Sequence, residues 1–409
     1  MQRKWLIIGV CFSSMIVSPA AINGFAMSVL LKSLAADLDI SRGDISTRLM
    51  IVHLLTGISS LLLGFLIDRF NIRRVILPGV LAFAVMTAAL GFITVDRLWL
   101  LNPALVLSGL FAATLLPMAY AKMASMWFDR RRGLALGIVL SGTGVGTMLV
   151  PQVAQHFNAA YDWHAAFFAL ASCIIILALA PGLLFFRYPK PGEADDDHLV
   201  APVMNAFTSV PGDEVTVAIQ NPISWRVSFA LFLTVTAING TLFHMVSMLT
   251  DRGLSPQSAT NVLSVSGLFV ILGRVSAGWC LDRFRGQYVA AIVTSMPMMG
   301  LAALMTGTGG FVPIVGAVLC GLGLGAEIDL MAFFFSRYFG LKAIGRLMGI
   351  GSAILALATG IGPMIMGRSY DATGSYTTAM FAFEGALAVA LVLYATLGPY
   401  RYLPHHAKP

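Results

Sequence analysis

Twelve times in 409 residues the sequence stays apolar for long enough to cross a bilayer as a helix. That repetition constrains the fold more than any motif, because the hydrocarbon core offers no hydrogen-bond partner to irregular backbone. The runs cover 5–31, 48–67, 75–94, 100–126, 134–156, 165–187, 224–248, 259–281, 288–307, 311–336, 345–367 and 377–398. The connections between most of them are short. The pattern predicts an all-α membrane protein of twelve transmembrane helices embedded in a lipid bilayer. The first run follows Arg3 and Lys4, as a secretory leader would, but "SPAAINGFAMSVLL" stays apolar beyond any plausible cleavage site. It is therefore expected to remain as the first helix.

Composition points the same way: 58% of the residues are hydrophobic and 11% are charged, against about 25% charged in soluble domains. A water-soluble enzyme is disfavoured on that ground. The four cysteines, Cys11, Cys173, Cys280 and Cys320, all fall within apolar runs and read as small core-filling residues. No phosphate-binding loop, nucleophile dyad or metal-ligand cluster is found, so neither catalysis, a cofactor nor a metal is expected.

The net charge of +7 is explained by where the basic residues lie. With the amino terminus in the cytoplasm, inner connections and termini carry 17 of the 26 Lys and Arg, counting Arg187 at the edge of the central connection. The outer connections carry five: Arg42, Arg48, Arg97, Arg252 and Arg368. That bias predicts cytoplasmic N- and C-termini, in what is expected to be a bacterial inner membrane. The positive charge then serves topology, and nucleic acid is not an expected partner.

The connection at 188–221 is rich in Pro, Gly and acidic residues and reads as a cytoplasmic linker with room for a short interfacial helix. It divides the chain into residues 1–187 and 222–409, two pseudo-symmetric six-helix bundles. "AING" at Ala21–Gly24 recurs at Ala237–Gly240, and "GFLIDRFNIRR" from Gly64 is answered by "GWCLDRFRG" from Gly278. One looser match joins the stretches ending at Gly137 and Gly349, and Pro151 pairs with Pro363. Four matches at nearly constant offset indicate a duplicated unit.

The run formed by Gly64, Asp68, Arg69, Arg73 and Arg74 resembles the signature between helices two and three of the major facilitator superfamily. The weaker copy, Gly278, Asp282 and Arg283, stands where that family repeats it. "INGFAMSVLLKSLAADLDISRGDIS" and "GRVSAGWCLDRF" further resemble the monocarboxylate and oxalate/formate branch. The resemblance implies a carrier fold. The signature residues are then expected to form a gate at the cytoplasmic ends of helices two and three, and of eight and nine, through ion pairs and helix dipoles. Positive-inside anchoring is the alternative role for them.

Arg274 lies inside an apolar run, roughly 12 Å along a helix from Asp282. A guanidinium at such depth needs a counter-charge or a water-filled cavity. Its planar fork suits a carboxylate, and in the family that this chain resembles, this arginine holds the substrate carboxylate. A buried ion pair bracing helix eight is the competing reading. Glu327 and Asp329 lie at a similar depth in helix ten, two positions apart and so about 200° around it. One of them is expected to pair with Arg274 in the empty carrier and to take a proton when substrate arrives; a fixed brace is the alternative.

Two departures from the family bear on coupling. Val270 stands where animal monocarboxylate carriers have an aspartate, and Lys32 lies too near the outer end to match their helix-one lysine. The eleventh run also lacks the lysine that the oxalate carrier adds, leaving one deep cation for one carboxylate. Weaker candidates are Asn23 and Asn239 at equivalent sites in helices one and seven, Tyr120 in helix four, and His244 near the outer end of helix seven. The asparagines and the tyrosine are candidate substrate ligands, and His244 is a candidate for proton coupling. Each is equally open to a packing role, and His53 is read as structural.

The expected function is secondary transport of a small organic monocarboxylate, such as lactate, pyruvate or a short or aromatic acid, in symport with a proton. Organic anion exchange of the oxalate/formate type is the alternative; drug efflux and a non-transporting membrane sensor rank behind it.

Overall fold

A computed structural model describes residues 2–128, 131–189, 212–307 and 309–402, without the side chains of Gln2, Arg3, Asp68 and Arg132. Its described residues include twelve helical segments long and apolar enough to span a membrane. They are α1 (Lys4–Asp37), α2 (Arg42–Ile67), α3 (Ile72–Leu90), α4 (Val95–Trp127), α5 (Gly133–Ala160) and α6 (Trp163–Phe185), then α7 (Pro222–Asp251), α8 (Pro256–Leu281), α9 (Gly286–Thr306), α10 (Val312–Phe339), α11 (Ile344–Thr373) and α12 (Thr377–Ala395). Several exceed the apolar runs that predict them, because the helices continue past the lipid-immersed stretch until a cap ends them. Ser41 accepts from the Asp44 amide to start α2, and Ser255 accepts from the Ser258 amide to start α8. The two caps are spaced like the repeated signature, so the duplication extends to helix starts.

An even number of crossings brings both termini to one end of the bundle, the terminal end; α2, α8 and α12 begin at the far end. Most of the expected central connection, 190–211, lies outside the described residues. Its last part forms a short helix, Val215–Gln220. Asp213 ties this segment to the C-terminal half, accepting from Arg401 at 3.0 Å and from the Tyr402 hydroxyl at 2.9 Å.

Two helices are interrupted. α1 passes through a π-helical turn at Ala20–Ala26, just after Pro19. In α4, a 3₁₀ turn at Ala113–Leu115 and an extended Leu116 precede Pro117, which restarts the helix. Proline supplies no amide hydrogen and cannot continue the ladder behind it.

The buried apolar residues cluster by half. One cluster draws on residues 7–186 together with Phe243. A second draws on the C-terminal half and on Ala218 of the short helix before it, and a third joins the far end of that half to Phe25 and Val29 of α1. The halves meet along two seams, α2 against α11 and α5 against α8. Small residues make these seams tight: a Cβ on Gly360 would lie 2.9 Å from Met50 Cα, and one on Gly267 would lie 2.6 Å from the Met148 amide. The contact runs from Gly43 beside Gly367 at the far end to Gly57 beside Ala356. Nearer the terminal end, Gly133, Gly137, Gly278, Gly345 and Gly349 have nothing within 4 Å of a built Cβ. The halves are closed at the far end and parted toward the termini.

Candidate functional site

Arg274 stands where the seam opens. On α8, Gly267 and Ile271 touch α5, while Val270 and Gly273 touch α10. At 100° per residue, Arg274 falls at the corner between these two faces, one turn beyond the last α5 contact. About one turn further toward the terminal end, Gly137 of α5 and Gly278 of α8 have open space beside them. Val275 and Leu272 point the other way and are exposed on the outer surface of the bundle. Arg274 therefore opens on the cleft between the halves.

Of the two acids on α10, Asp329 takes the place beside it. Asp329 Oδ2 is 3.8 Å from Arg274 Nε, and the two side chains keep 34% and 26% of their accessibility. This is an ion pair without a hydrogen bond; Asp329 Oδ2 itself is buried, and the accessibility lies on the rest of the two side chains. Glu327 lies around the helix from Asp329, as the 200° separation requires; its Oε2 is buried with no hydrogen-bond partner among the described residues, and both Arg274 and the Tyr394 hydroxyl of α12 are within its electrostatic reach. The fork of Arg274 keeps donors that Asp329 does not use, which suits a second carboxylate.

The other sequence candidates are not gathered at this pair. Tyr120 is 2% exposed inside the N-terminal half, its ring 5.8 Å from that of Phe186. This candidate carboxylate ligand lies among the buried apolar residues of that half. Asn23 is buried in the π turn of α1, its Nδ2 without a hydrogen-bond partner among the described residues. Asn239 donates Nδ2 to the Val235 carbonyl at 2.9 Å and lines a small cavity at the seam. His53 lines the same cavity.

His244 is fully buried between the halves. Its Nε2 lies 3.2 Å from Ser46 Oγ of α2 and 3.0 Å from the Pro363 carbonyl of α11, and its ring packs 5.2 Å from that of Tyr376. Above it lies a charge cluster that reading by sequence does not pair. Asp251 of α7 receives Lys32 of α1 at 2.8 Å and both terminal nitrogens of Arg42, Nη2 at 3.1 Å. Arg42 also donates to the Tyr376 hydroxyl at 2.6 Å and stacks 4.0 Å over the Tyr370 ring. Burial pushes the Tyr376 hydroxyl up, so it meets Arg42 as a neutral acceptor. Arg368 and Asp44 pair at 3.1 Å, and Asp371 accepts the Gly43 amide at 3.0 Å. Each of these bonds joins one half to the other and seals the far end. The only signal in the sequence is a set of acids and bases at helix ends, which says nothing of partners.

The signature residues occupy the parted, terminal end. The Asp68 side chain lies outside the described ones. A Cβ on Gly64 would lie 3.2 Å from Met118 Cε of α4. Arg69 lies 5.9 Å from the Phe70 ring, Arg73 donates to the Leu183 carbonyl, and Arg74 is exposed. In the second copy Arg283 stacks 4.1 Å over Trp279, Asp282 is exposed, and the two form no ion pair among the described residues. None of these contacts crosses between the halves.

Comparisons with known proteins agree with this architecture. The sequence profile described as Major Facilitator Superfamily matches residues 11–363. Monocarboxylate transporter 12 of Homo sapiens is 25% identical over 317 residues, which span 70% of this chain and 60% of that protein. Monocarboxylate transporter 13 of Rattus norvegicus is 27% identical over 271 residues, 65% of this chain and 59% of its own. The uncharacterized MFS-type transporter YcxA of Bacillus subtilis is 24% identical over 390 residues, 92% of this chain and 90% of its own. A crystal structure of a bacterial homolog of the human lysosomal transporter Spinster, inward-facing and unoccupied, superposes with a TM-score of 0.70 at 15% identity, covering 96% of each chain. That likeness speaks for the fold alone.

Proposed function

This chain belongs to the major facilitator superfamily, and from that membership we propose that it is a secondary active transporter of a small organic monocarboxylate, working by alternating access. It is an integral membrane protein by its twelve apolar helices. The observation that carries the reading is Arg274, which opens on the cleft with Asp329 at 3.8 Å and donors to spare. One deep cation suits one carboxylate, and the likeness to proteins named monocarboxylate transporters supports the same substrate class.

In this proposal residues 1–187 and 222–409 rock about the site, joined by the linker 188–221. The termini face the cytoplasm of a bacterium and the protein sits in its inner membrane, so the sealed far end faces outward and the cleft opens inward. Gly64, Asp68, Arg69, Arg73 and Arg74, with Gly278, Asp282 and Arg283, close the inner end when the cleft shuts; here that end is parted and they engage their own half. Asp329 holds Arg274 while the site is empty and takes up a proton when a substrate carboxylate displaces it, which makes the transport a proton symport. Glu327, whose Oε2 has no partner among the described residues, is the alternative proton carrier. His244 closes the seam above.

Uptake of labelled mono- and dicarboxylates into proteoliposomes, with and without an imposed pH gradient, tests this reading. Acid on the entry side should speed accumulation of monocarboxylates. Counterflow indifferent to the gradient would instead identify an anion exchanger.

A further inference from the structure

At mid-depth of the α2–α11 seam lies a small, partly open cavity of about 20 Å³, room for one water or one hydroxyl-sized group. Its walls include Phe25 of α1, His53 of α2, Asn239 and Phe243 of α7, and Thr359 and Pro363 of α11. Both halves contribute to its wall.

Most of the lining is apolar, and its three polar side chains come from three helices. All three have unused hydrogen-bonding capacity. Neither ring nitrogen of His53 has a hydrogen-bond partner among the described residues. Asn239 commits Nδ2 to the Val235 carbonyl and leaves Oδ1 open; Thr359 donates to the Leu355 carbonyl at 2.9 Å and leaves its oxygen lone pairs. Imidazole, amide oxygen and hydroxyl oxygen together ask for a group that both donates and accepts. A hydroxyl meets that demand. A second carboxylate does not, because the cavity wall contains no lysine or arginine.

The depth of the cavity sets the length of the ligand. Asn239 stands twelve residues from the far end of α7, and Arg274 stands eighteen from the far end of α8. At 1.5 Å per residue, Arg274 is roughly 9 Å nearer the terminal end. A 2-hydroxy acid carries its hydroxyl on the carbon beside the carboxylate and cannot reach both places. An arylalkanoic acid with a ring hydroxyl opposite the side chain is long enough along the bundle axis, and Phe25 and Phe243 offer aromatic faces and edges to its ring.

We propose that this cavity receives a ring hydroxyl at the distal end of the substrate, so that the carrier selects hydroxyaryl monocarboxylates over their deoxy analogues and over short 2-hydroxy acids. The proposal rests on Arg274 as the carboxylate clamp. His53, Asn239 and Thr359 are then the specificity-determining residues, and they work only when the carboxylate is already held.

The test compares uptake of 4-hydroxyphenylacetate and phenylacetate by the full chain in proteoliposomes. Wild type should prefer the hydroxylated acid by about tenfold in kcat/KM, the value of one good hydrogen bond. His53→Leu should bring the ratio to within about twofold, through a higher KM for the hydroxylated acid. Thr359→Val, checked in the same way, should lower the ratio by a smaller factor and serves where His53→Leu does not fold. A wild-type ratio near one, or an unchanged ratio in whichever variants fold, overturns the receptor while leaving the anion carrier standing. Uptake of neither acid by wild type, or undiminished uptake by Arg274→Gln, overturns both.

Discussion

Asp329 Oδ2 sits 3.8 Å from Arg274 Nε, near enough to balance its charge and too far for a hydrogen bond. A tight bidentate pair would make Arg274 a brace, since a carboxylate already holding both forks leaves nothing for a ligand. The open pair leaves donors free beside the cleft. An incoming carboxylate can use them without first breaking a strong bond.

Removing the guanidinium should therefore abolish uptake without unfolding the protein. Arg274→Gln is expected to lower kcat/KM for a monocarboxylate on the order of 10²-fold. Arg274→Lys should recover only a minor part, because an ammonium cannot reproduce the planar fork. Uptake assays paired with size-exclusion profiles check both. A full-rate Arg274→Gln carrier would sink the clamp.

Asp329→Asn and Glu327→Gln separate the two acids. The first should retain counterflow yet lose accumulation driven by an acidic exterior, because an amide beside Arg274 can neither release nor take a proton. The second should keep most of that accumulation, since Glu327 lies around the helix from Asp329. If both variants still concentrate substrate, the proton travels by another group.

At the far end, Asp251 is the shared acceptor of Lys32 and Arg42. Asp251→Asn removes one charge and leaves two cations of the other half facing a neutral amide. It should shift the resting carrier toward an outward-open form. A cysteine introduced for Asn239 should then label several-fold faster with a membrane-impermeant maleimide from the far side. Labelling at the wild-type rate would show that the cluster does not hold the seal.

The two copies of "AING" should respond differently to one methyl group. A Cβ on Gly240 would lie 2.6 Å from the Phe383 ring and 2.8 Å from the Gly362 carbonyl, whereas one on Gly24 meets nothing within 4 Å. Gly240→Ala should cost about 1–3 kcal/mol by overpacking. Gly24→Ala should be neutral or slightly stabilising, since alanine favours the helix. Thermal denaturation in detergent reads both.

Much of the architecture follows from local composition. An apolar run of spanning length has one outcome in lipid, so twelve helices, the even count and the two-part repeat are properties of the chain read residue by residue. The depth of Arg274 and the opposition of Glu327 and Asp329 follow equally from helical rise and twist, which depend on no neighbour. Partners are another matter. Which α10 acid meets Arg274, whether Tyr120 faces cavity or core, and that Gly240 is crowded where Gly24 is not were all decided by helices distant in the sequence. The same holds for Asp251 with Arg42 and Lys32, and for His53 with Asn239 and Thr359. A helix fixes the direction of its own side chains relative to one another, but the rotation of that helix about its axis, and what stands across from it, are set only when two bundles pack against each other.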